Sequence, residues 1–198
     1  MNAILATARV ILIRHTRVAV PDGVCYGQTD VPLAPTFEAD AAGILTRLPW
    51  PPGEIWSSPA TRCLRLAEKL APARNPAAAN NNPSAIHADP RLLELNFGAW
   101  ENRAWKDFHC PQSEAWALDP WTQRPPGGET AAELWRRVGE FRGRLLCRCA
   151  AANPDPAARI AVVTHAGVIR AWRSHAQNIP LAQLFSAQIP CGHIEPGF

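Results

Sequence analysis

The chain has 198 residues, of which 47% are hydrophobic and 19% are charged, a composition typical of one globular domain with a buried core. No apolar run approaches the roughly 20 residues that a membrane helix needs, and the N-terminus lacks a signal-peptide pattern, so we expect a cytoplasmic protein without a membrane partner. The net charge of +3 comes without a run of like charges, which permits an anionic small-molecule ligand and argues against a nucleic-acid partner. The six cysteines form no C-x-x-C pair and are expected to be reduced thiols.

Three short apolar runs predict strands. The runs at 10–13 and 160–163 are continuous and rich in β-branched residues, and a weaker run covers 54–56. Runs without polar alternation are typical of strands that are covered on both faces, as in a parallel sheet.

Apolar residues at three- and four-residue spacing predict helices between and after these strands. The first helix follows Thr36, a candidate N-cap, and the second begins at Ser58-Pro59, a cap followed by proline. The inward positions of the four helices are Phe37, Ala41, Ile44 and Leu48; Leu64, Ala67 and Leu70; Ala131, Leu134, Val138, Phe141 and Leu145; and Val168, Ala171, Trp172 and His175. This order of strands and helices predicts an α/β fold with a mostly parallel central sheet.

We expect residues 1–198 to form a single domain with a small cap inserted at about residues 89–128. That segment mixes loop and short-helix sequence and contains four tryptophans (Trp100, Trp105, Trp116 and Trp121). Tryptophans in such a segment are more often packed than in contact with a ligand. The low-complexity stretch at 76–83 predicts a surface loop.

Chemically useful residues follow the predicted strands. The first strand ends in Arg14-His15-Thr16, the next in Ser57-Ser58 with Arg62 close behind, and the last in Thr164-His165-Ala166-Gly167. Ligands bind outside the carboxyl ends of parallel strands, and helix N-termini favour anions. Two arginines and two histidines at this edge predict a phosphate pocket that is suited to phosphoryl chemistry. A metal site is not expected, because no third histidine lies at ligand spacing and the arginines would repel a cation.

Five segments carry a resemblance to a known family. They are RHT at 14–16, SSPATRC at 57–63, LLELNFGAWEN at 92–102, PPGGET at 125–130 and VVTHAGVIR at 162–170. In order and spacing they resemble the histidine phosphatase superfamily, in its phosphoglycerate-mutase-like branch. The resemblance implies a three-layer α/β/α sandwich and an enzyme that needs no metal or other cofactor.

The same resemblance assigns roles to individual residues. It implies that His15 is the nucleophile that becomes phosphohistidine and that Glu94 is the proton donor. Arg14, Arg62 and His165 would bind the phosphoryl oxygens. Ala166 would contribute to phosphate binding at the start of the helix that follows His165.

The first loop departs from the family pattern. Glycine usually follows the first histidine of this family, whereas this chain has Thr16, and residues 17–21 replace the usual threonine and asparagine positions. We therefore expect Thr16 to narrow the pocket or to supply a hydroxyl contact.

The segment CYGQTDVPL at 25–33 resembles a loop of the α-ribazole phosphatases, in which Gln28 and Thr29 would reach phosphate or substrate. This resemblance implies a phosphomonoesterase, monomeric or homodimeric, that acts on α-ribazole 5′-phosphate in cobalamin biosynthesis. Another possibility is that the loop is only a turn and that the enzyme is a broad-specificity phosphatase or a phosphoglycerate-mutase-like enzyme acting on sugar phosphates or nucleotides. A third is a phosphate-binding module without catalysis.

Overall fold

The computed structural model describes residues 9–73, 86–108, 110–151 and 159–197. The strands in these ranges are β1 (Val10–Arg14), β2 (Val24–Cys25), β3 (Glu54–Ser57), β4 (Ile86–Ala88), β5 (Arg103–Ala104), β6 (Ile160–Thr164) and β7 (Ile194–Pro196). Five of them form one sheet in the order β4-β3-β6-β1-β7, and β2 pairs with β5 in a separate two-stranded sheet.

The central sheet is parallel except at one edge. β1 and β3 both run parallel to β6, with Val10 and Glu54 each opposite Ile160. β4 is parallel to β3, whereas β7 is antiparallel to β1. The three predicted strands are thus the centre of the sheet. β4 is only three residues long, and its sequence carries too little pattern to be predicted.

Helices cover both faces of the sheet. They are α1 (Phe37–Leu45), α2 (Thr61–Leu70), α3 (Pro111–Leu118), α4 (Ala131–Ala151), α5 (Ala166–Gln177) and α6 (Leu181–Leu184). Val10 and Leu12 of β1 pack into an apolar cluster with α4 and α5, whereas Ile11 and Ile13 pack into a cluster with α1 and α2. All four side chains are fully buried, and each contributes about 1.5–3 kcal/mol by leaving water. This arrangement confirms the predicted three-layer α/β/α sandwich.

The helix after β3 begins later than the Ser58-Pro59 pair predicts. α2 starts at Thr61, whose backbone N–H donates to Asp30 Oδ1 at 3.1 Å. The hydroxyl oxygen of Ser58 accepts from the backbone N–H of Ala60 at 3.3 Å, before the helix begins, and is hydrogen-bonded to His165 Nε2 at 2.8 Å. The predicted capping role of Ser58 is therefore wrong, because a distant carboxylate satisfies the helix start and Ser58 joins the strand-end cluster.

The first helix is also shorter than the spacing of its apolar residues predicts. α1 ends at Leu45, so Leu48 lies beyond it, although it still packs against the same apolar cluster. Thr36 occupies the N-cap position, but its hydroxyl donates to Asp40 Oδ2 at 3.2 Å instead of accepting a backbone hydrogen bond.

Residues 89–128, the expected cap, contain short 3-10 turns, β5 and α3. Trp100 is 3% exposed and its ring lies 5.4 Å from that of Phe108 and 5.7 Å from that of Trp116. These contacts favour a packing role for Trp100 and Trp116, whereas Trp105 and Trp121 are partly exposed. That this segment is an insertion within a single domain stays a prediction.

Two further expectations concern a surface loop and membrane-spanning helices. The predicted loop at 76–83 lies outside the described residues. Within the ranges that the structure covers, no helix combines the length and the apolar character that crossing a membrane requires.

Candidate active site

The strand ends bring two histidines together. His15 follows β1 and His165 follows β6, which are neighbouring parallel strands. Their ring centroids lie 5.3 Å apart, and both side chains are almost completely buried. They occupy the crevice at the carboxyl ends of the strands, where parallel sheets bind ligands.

A backbone hydrogen bond fixes the tautomer of His15. Its Nδ1 lies 2.7 Å from the carbonyl oxygen of Thr16. Because a carbonyl oxygen only accepts hydrogen bonds, Nδ1 carries the proton and Nε2 keeps its lone pair. Burial, together with the charges of Arg14 and Arg62, lowers the pKa of His15 from 6.5 to about 3. Near pH 7 the ring is therefore neutral, with one nitrogen available as a nucleophile.

Two arginines close to the histidines carry buried N–H groups without a described partner. Arg62 is completely buried, and its two terminal nitrogens donate to the carbonyl oxygens of Thr29 at 2.9 Å and Gly27 at 2.6 Å. Arg14 donates through Nη1 to the carbonyl oxygen of Ile189. The Nε atoms of both arginines are buried and have no hydrogen-bond partner among the described residues. Since buried donors are normally paired, this pattern is typical of a site that awaits an anion.

Thr16 adds a third unpaired group beside His15. The residue is 1% exposed, and its hydroxyl finds no partner within the described part of the chain. A glycine, the usual residue of the resembling family at this position, would leave no hydroxyl here.

His165 is held by Ser58 on the β3–α2 connection and by Cys63 in the first turn of α2. Its Nε2 lies 2.8 Å from Ser58 Oγ and 3.5 Å from Cys63 Sγ. Burial, followed by the charges of His15 and Arg62, lowers the pKa of His165 well below 6.5. Both histidine rings are therefore neutral in the folded protein.

Glu94 lies at the N-terminus of α5. Its Oε1 accepts from the backbone N–H of Leu95 at 2.9 Å, and its Oε2 accepts from that of Gly167 at 3.1 Å. Ala166, the first residue of α5, is buried between His165 and this contact. The start of the helix that begins directly after His165 therefore fixes the position of the Glu94 carboxyl.

Gln28 and Thr29 lie on the turn that holds Arg62. The side-chain amide of Gln28 donates to the carbonyl oxygen of Glu94 at 2.8 Å, and the hydroxyl of Thr29 donates to Glu101 Oε2 at 2.5 Å. Both side chains are therefore engaged by protein atoms. Their contact with a ligand stays a prediction.

Sequence reasoning missed the organising role of Glu101. Its carboxylate accepts hydrogen bonds from the backbone N–H groups of Gln28, Thr29 and Phe97. Glu101 lies in the segment at 92–102, but its partners on the turn lie 72 and 73 residues away in the sequence, so no local pattern indicates the contact. Tyr26 was missed as well: its ring lies 5.1 Å from the guanidinium carbon of Arg62.

Comparison with known proteins gives consistent results. The model of the histidine phosphatase superfamily (branch 1) matches residues 10–195. The chain is 29% identical over 109 residues to the adenosylcobalamin/alpha-ribazole phosphatase of Salmonella typhimurium, a match that covers 54% of this chain and 51% of the relative. The chain therefore aligns with only about half the length of that curated relative.

Solved structures share the fold. The alpha-ribazole phosphatase from Shigella flexneri superposes with a TM-score of 0.76 at 23% identity, covering 93% of this chain and 87% of that one. A mycobacterial glucosyl-3-phosphoglycerate phosphatase superposes with a TM-score of 0.71 at 21% identity, with the same coverages of 93% and 87%. At these identities the likeness establishes the fold and leaves the substrate open.

Proposed function

Because the chain belongs to the histidine phosphatase superfamily (branch 1), we propose that it is a metal-independent phosphomonoesterase that works through a phosphohistidine at His15. The observation that carries this proposal is the pairing of a neutral His15, with Nε2 unprotonated, and two buried guanidinium N–H groups that lack partners among the described residues. A nucleophile and an anion site in one crevice are the two requirements of phosphoryl transfer to a histidine.

The proposed reaction has two steps. In the first, Nε2 of His15 attacks phosphorus, the N–P bond forms, the P–O ester bond breaks, and Glu94 donates a proton to the leaving oxygen. In the second, water attacks phosphorus, Glu94 accepts the proton of that water, and the N–P bond breaks to release phosphate and neutral His15. Arg14, Arg62 and His165 contact the phosphoryl oxygens and stabilise the charge that develops there.

The proposed substrate is α-ribazole 5′-phosphate, an intermediate of cobalamin biosynthesis. Support comes from the segment at 25–33 and from the names of the Salmonella and Shigella relatives. In this proposal Thr16, Gln28, Thr29 and Ala166 contribute to phosphate or substrate binding. We place the enzyme in the cytoplasm, in keeping with six unpaired cysteines.

The proposal is tested by measuring phosphate release in EDTA from α-ribazole 5′-phosphate, with nucleoside monophosphates, sugar phosphates and phosphoglycerate alongside. The His15→Ala variant is the matched inactive control, and its turnover is expected to fall by about 10⁴-fold or more, as when a nucleophile is removed from other hydrolases. Rapid quenching with labelled substrate should trap labelled histidine in the wild-type protein alone.

Each result separates one candidate from the others. A strong preference for α-ribazole 5′-phosphate supports the whole proposal. Equal activity across the panel retains the phosphohistidine mechanism and discards the cobalamin substrate. Phosphate binding without turnover of any ester would favour the phosphate-binding module, and full activity of His15→Ala would overturn the mechanism.

A further inference from the structure

The PPGGET segment at 125–130 has no role in the chemistry proposed above, yet it packs directly against the loop segment that carries Glu94. The backbone N–H of Ala99 donates to the carbonyl oxygen of Pro126 at 2.9 Å, and that of Glu129 donates to the carbonyl oxygen of Asn96 at 2.9 Å. A Cβ atom at Gly98 would collide with the Pro126 carbonyl oxygen. The glycine therefore allows the two backbones to approach closely.

This segment delivers a carboxylate to a partly buried arginine. Glu129 and Arg137 form a two-point ion pair, with Nη2 2.5 Å from Oε1 and Nε 3.1 Å from Oε2. The side chains are only 17% and 15% exposed, so solvent screens this pair less than it screens a surface pair. Glu129 Oε1 also accepts from the backbone N–H of Asn96 at 3.0 Å.

The same guanidinium holds the backbone at and before Glu94. Arg137 Nη1 donates to the carbonyl oxygens of Arg91 at 2.7 Å and Leu93 at 2.6 Å, and Nη2 donates to that of Glu94 at 3.0 Å. Three carbonyl oxygens within four residues are thus attached to one rigid, planar group. Arg137 does not hydrogen-bond the carboxyl of Glu94, whose described partners are Leu95 and Gly167.

We propose that Arg137, oriented by Glu129, is a positioning residue that fixes Glu94 for proton transfer to the leaving group. The inference rests on the proposed function, because it assumes that Glu94 is the acid. A proton donor acts only within hydrogen-bond reach of the leaving oxygen, and a displacement of about 1 Å can lower a rate by about 100-fold.

The effect of losing Arg137 should depend on the leaving group. An alkyl phosphate releases a strongly basic alkoxide that needs a proton, whereas p-nitrophenyl phosphate releases a stable phenolate that does not. The charge of Arg137 also lowers the pKa of His165, but a change at His165 would affect both esters alike. The ratio of kcat/KM for the alkyl ester to kcat/KM for the aryl ester therefore isolates the acid role of Glu94, because kcat/KM does not include the hydrolysis of phosphohistidine that both esters share.

The test compares kcat/KM, which reports phosphoryl transfer to His15 and not the later hydrolysis of phosphohistidine, for ribose 5-phosphate and p-nitrophenyl phosphate in wild type, Arg137→Met, Arg137→Lys, Glu129→Gln and Glu94→Gln. We expect Arg137→Met to lower kcat/KM for ribose 5-phosphate by roughly 10- to 100-fold, with little change for the aryl ester, and Arg137→Lys to recover part of the loss. In the Glu94→Gln background, Arg137→Met should add no further alkyl-specific loss, because both changes act on one group. The neighbouring Arg136, exposed and paired with Glu140, supplies the matched control Arg136→Met, for which no change is expected.

The outcomes separate this inference from the proposed function. Alkyl-specific loss in both the Glu94 and Arg137 variants supports it. Alkyl-specific loss for Glu94→Gln together with equal loss on both esters for Arg137→Met and Glu129→Gln would overturn it and leave the proposed function intact. Equal loss of kcat/KM on both esters for Glu94→Gln would remove the acid role itself. If Arg137→Met does not fold, Arg137→Lys and Glu129→Gln decide by the same ratio.

Discussion

The Oε2 atom of Glu94 accepts a hydrogen bond from the backbone nitrogen of Gly167, two residues after His165 on the chain. The contact depends on glycine, because a Cβ atom at position 167 would collide with Oε1 of Glu94. The start of α5 therefore positions both Glu94, the candidate acid, and His165, a candidate phosphate ligand.

This contact predicts an unusual outcome for Gly167→Ala. Alanine normally stabilises a helical position by about 0.4–1 kcal/mol relative to glycine, but here the new methyl group must displace the Glu94 carboxyl. We expect turnover of an alkyl phosphate to fall by about tenfold or more, without a gain in the free energy of unfolding. Gly143→Ala on α4 is the matched control, because its Cβ atom would meet open space; its free energy of unfolding should rise and its activity stay unchanged. Wild-type turnover in Gly167→Ala would contradict the assignment of Glu94.

The unpaired hydroxyl of Thr16 predicts opposite effects on stability and binding. Thr16→Val keeps the shape and removes a buried hydroxyl that lacks a described partner, so the ligand-free protein should gain about 1 kcal/mol in free energy of unfolding. If that hydroxyl donates to phosphate, the Kd for inorganic phosphate should rise by roughly tenfold or more, since hydrogen bonds to charged groups contribute about 1.5–3 kcal/mol. Urea unfolding and calorimetric titration measure the two quantities.

The control for this position is Thr16→Ser, which retains the hydroxyl and should bind phosphate with nearly the wild-type Kd. A destabilised Thr16→Val protein would show that the hydroxyl already has a structural partner. A Thr16→Val protein that binds phosphate as tightly as wild type would show that the hydroxyl has no role in ligand binding.

The buried histidines predict a loss of stability in acid. The folded-state pKa of His15 is about 3, below its value of 6.5 in an unfolded chain, so the unfolded state binds more protons in between. Stability is therefore fully present above pH 6.5 and declines as the pH falls toward about 3, by up to about 1.4 kcal/mol per pH unit for this one group. The lowered pKa of His165 contributes in the same direction.

Carboxylates also titrate in acid, so the measurement needs a difference. Free energies of unfolding are measured between pH 7.5 and 4 for wild type and His15→Asn, whose side chain does not titrate, in a buffer free of phosphate. The wild-type curve should fall more steeply below pH 6.5. Parallel curves would mean that the ring of His15 protonates as readily in the folded protein as in the unfolded chain.

The strands and the residues at their ends could be predicted because both signals are local. The apolar run at 160–163 identifies β6 without reference to the rest of the chain, and the parallel order places His15 and His165 at one edge of the sheet. The start of α2 could not be predicted, because His165 and Asp30, both distant in sequence, compete with the local capping preference of Ser58. In the sequence, Arg137 is one of several charged positions on a predicted helix. Only the fold brings it to the backbone of Glu94.

Glu101 supplies the last prediction, since it joins the segment at 89–128 to the turn that holds Arg62, a proposed phosphate ligand. Its Oε1 accepts from the backbone N–H groups of Gln28 and Phe97, and its Oε2 accepts from the N–H and hydroxyl of Thr29. The turn that it holds provides both carbonyl oxygens that accept from Arg62. Glu101→Gln replaces one acceptor oxygen by an NH2 group, which then faces donors.

We expect Glu101→Gln to lower the free energy of unfolding by about 1–3 kcal/mol, because donors that were paired become unsatisfied. The Kd for inorganic phosphate should rise as well, since the turn no longer fixes the guanidinium of Arg62. Urea unfolding and phosphate titration measure both effects, with Glu114→Gln on the exposed side of α3 as the matched control. Loss of stability with unchanged phosphate affinity would show that Arg62 holds its position independently of the turn, whereas the loss of both would establish that the cap and the phosphate pocket are coupled through this one carboxylate.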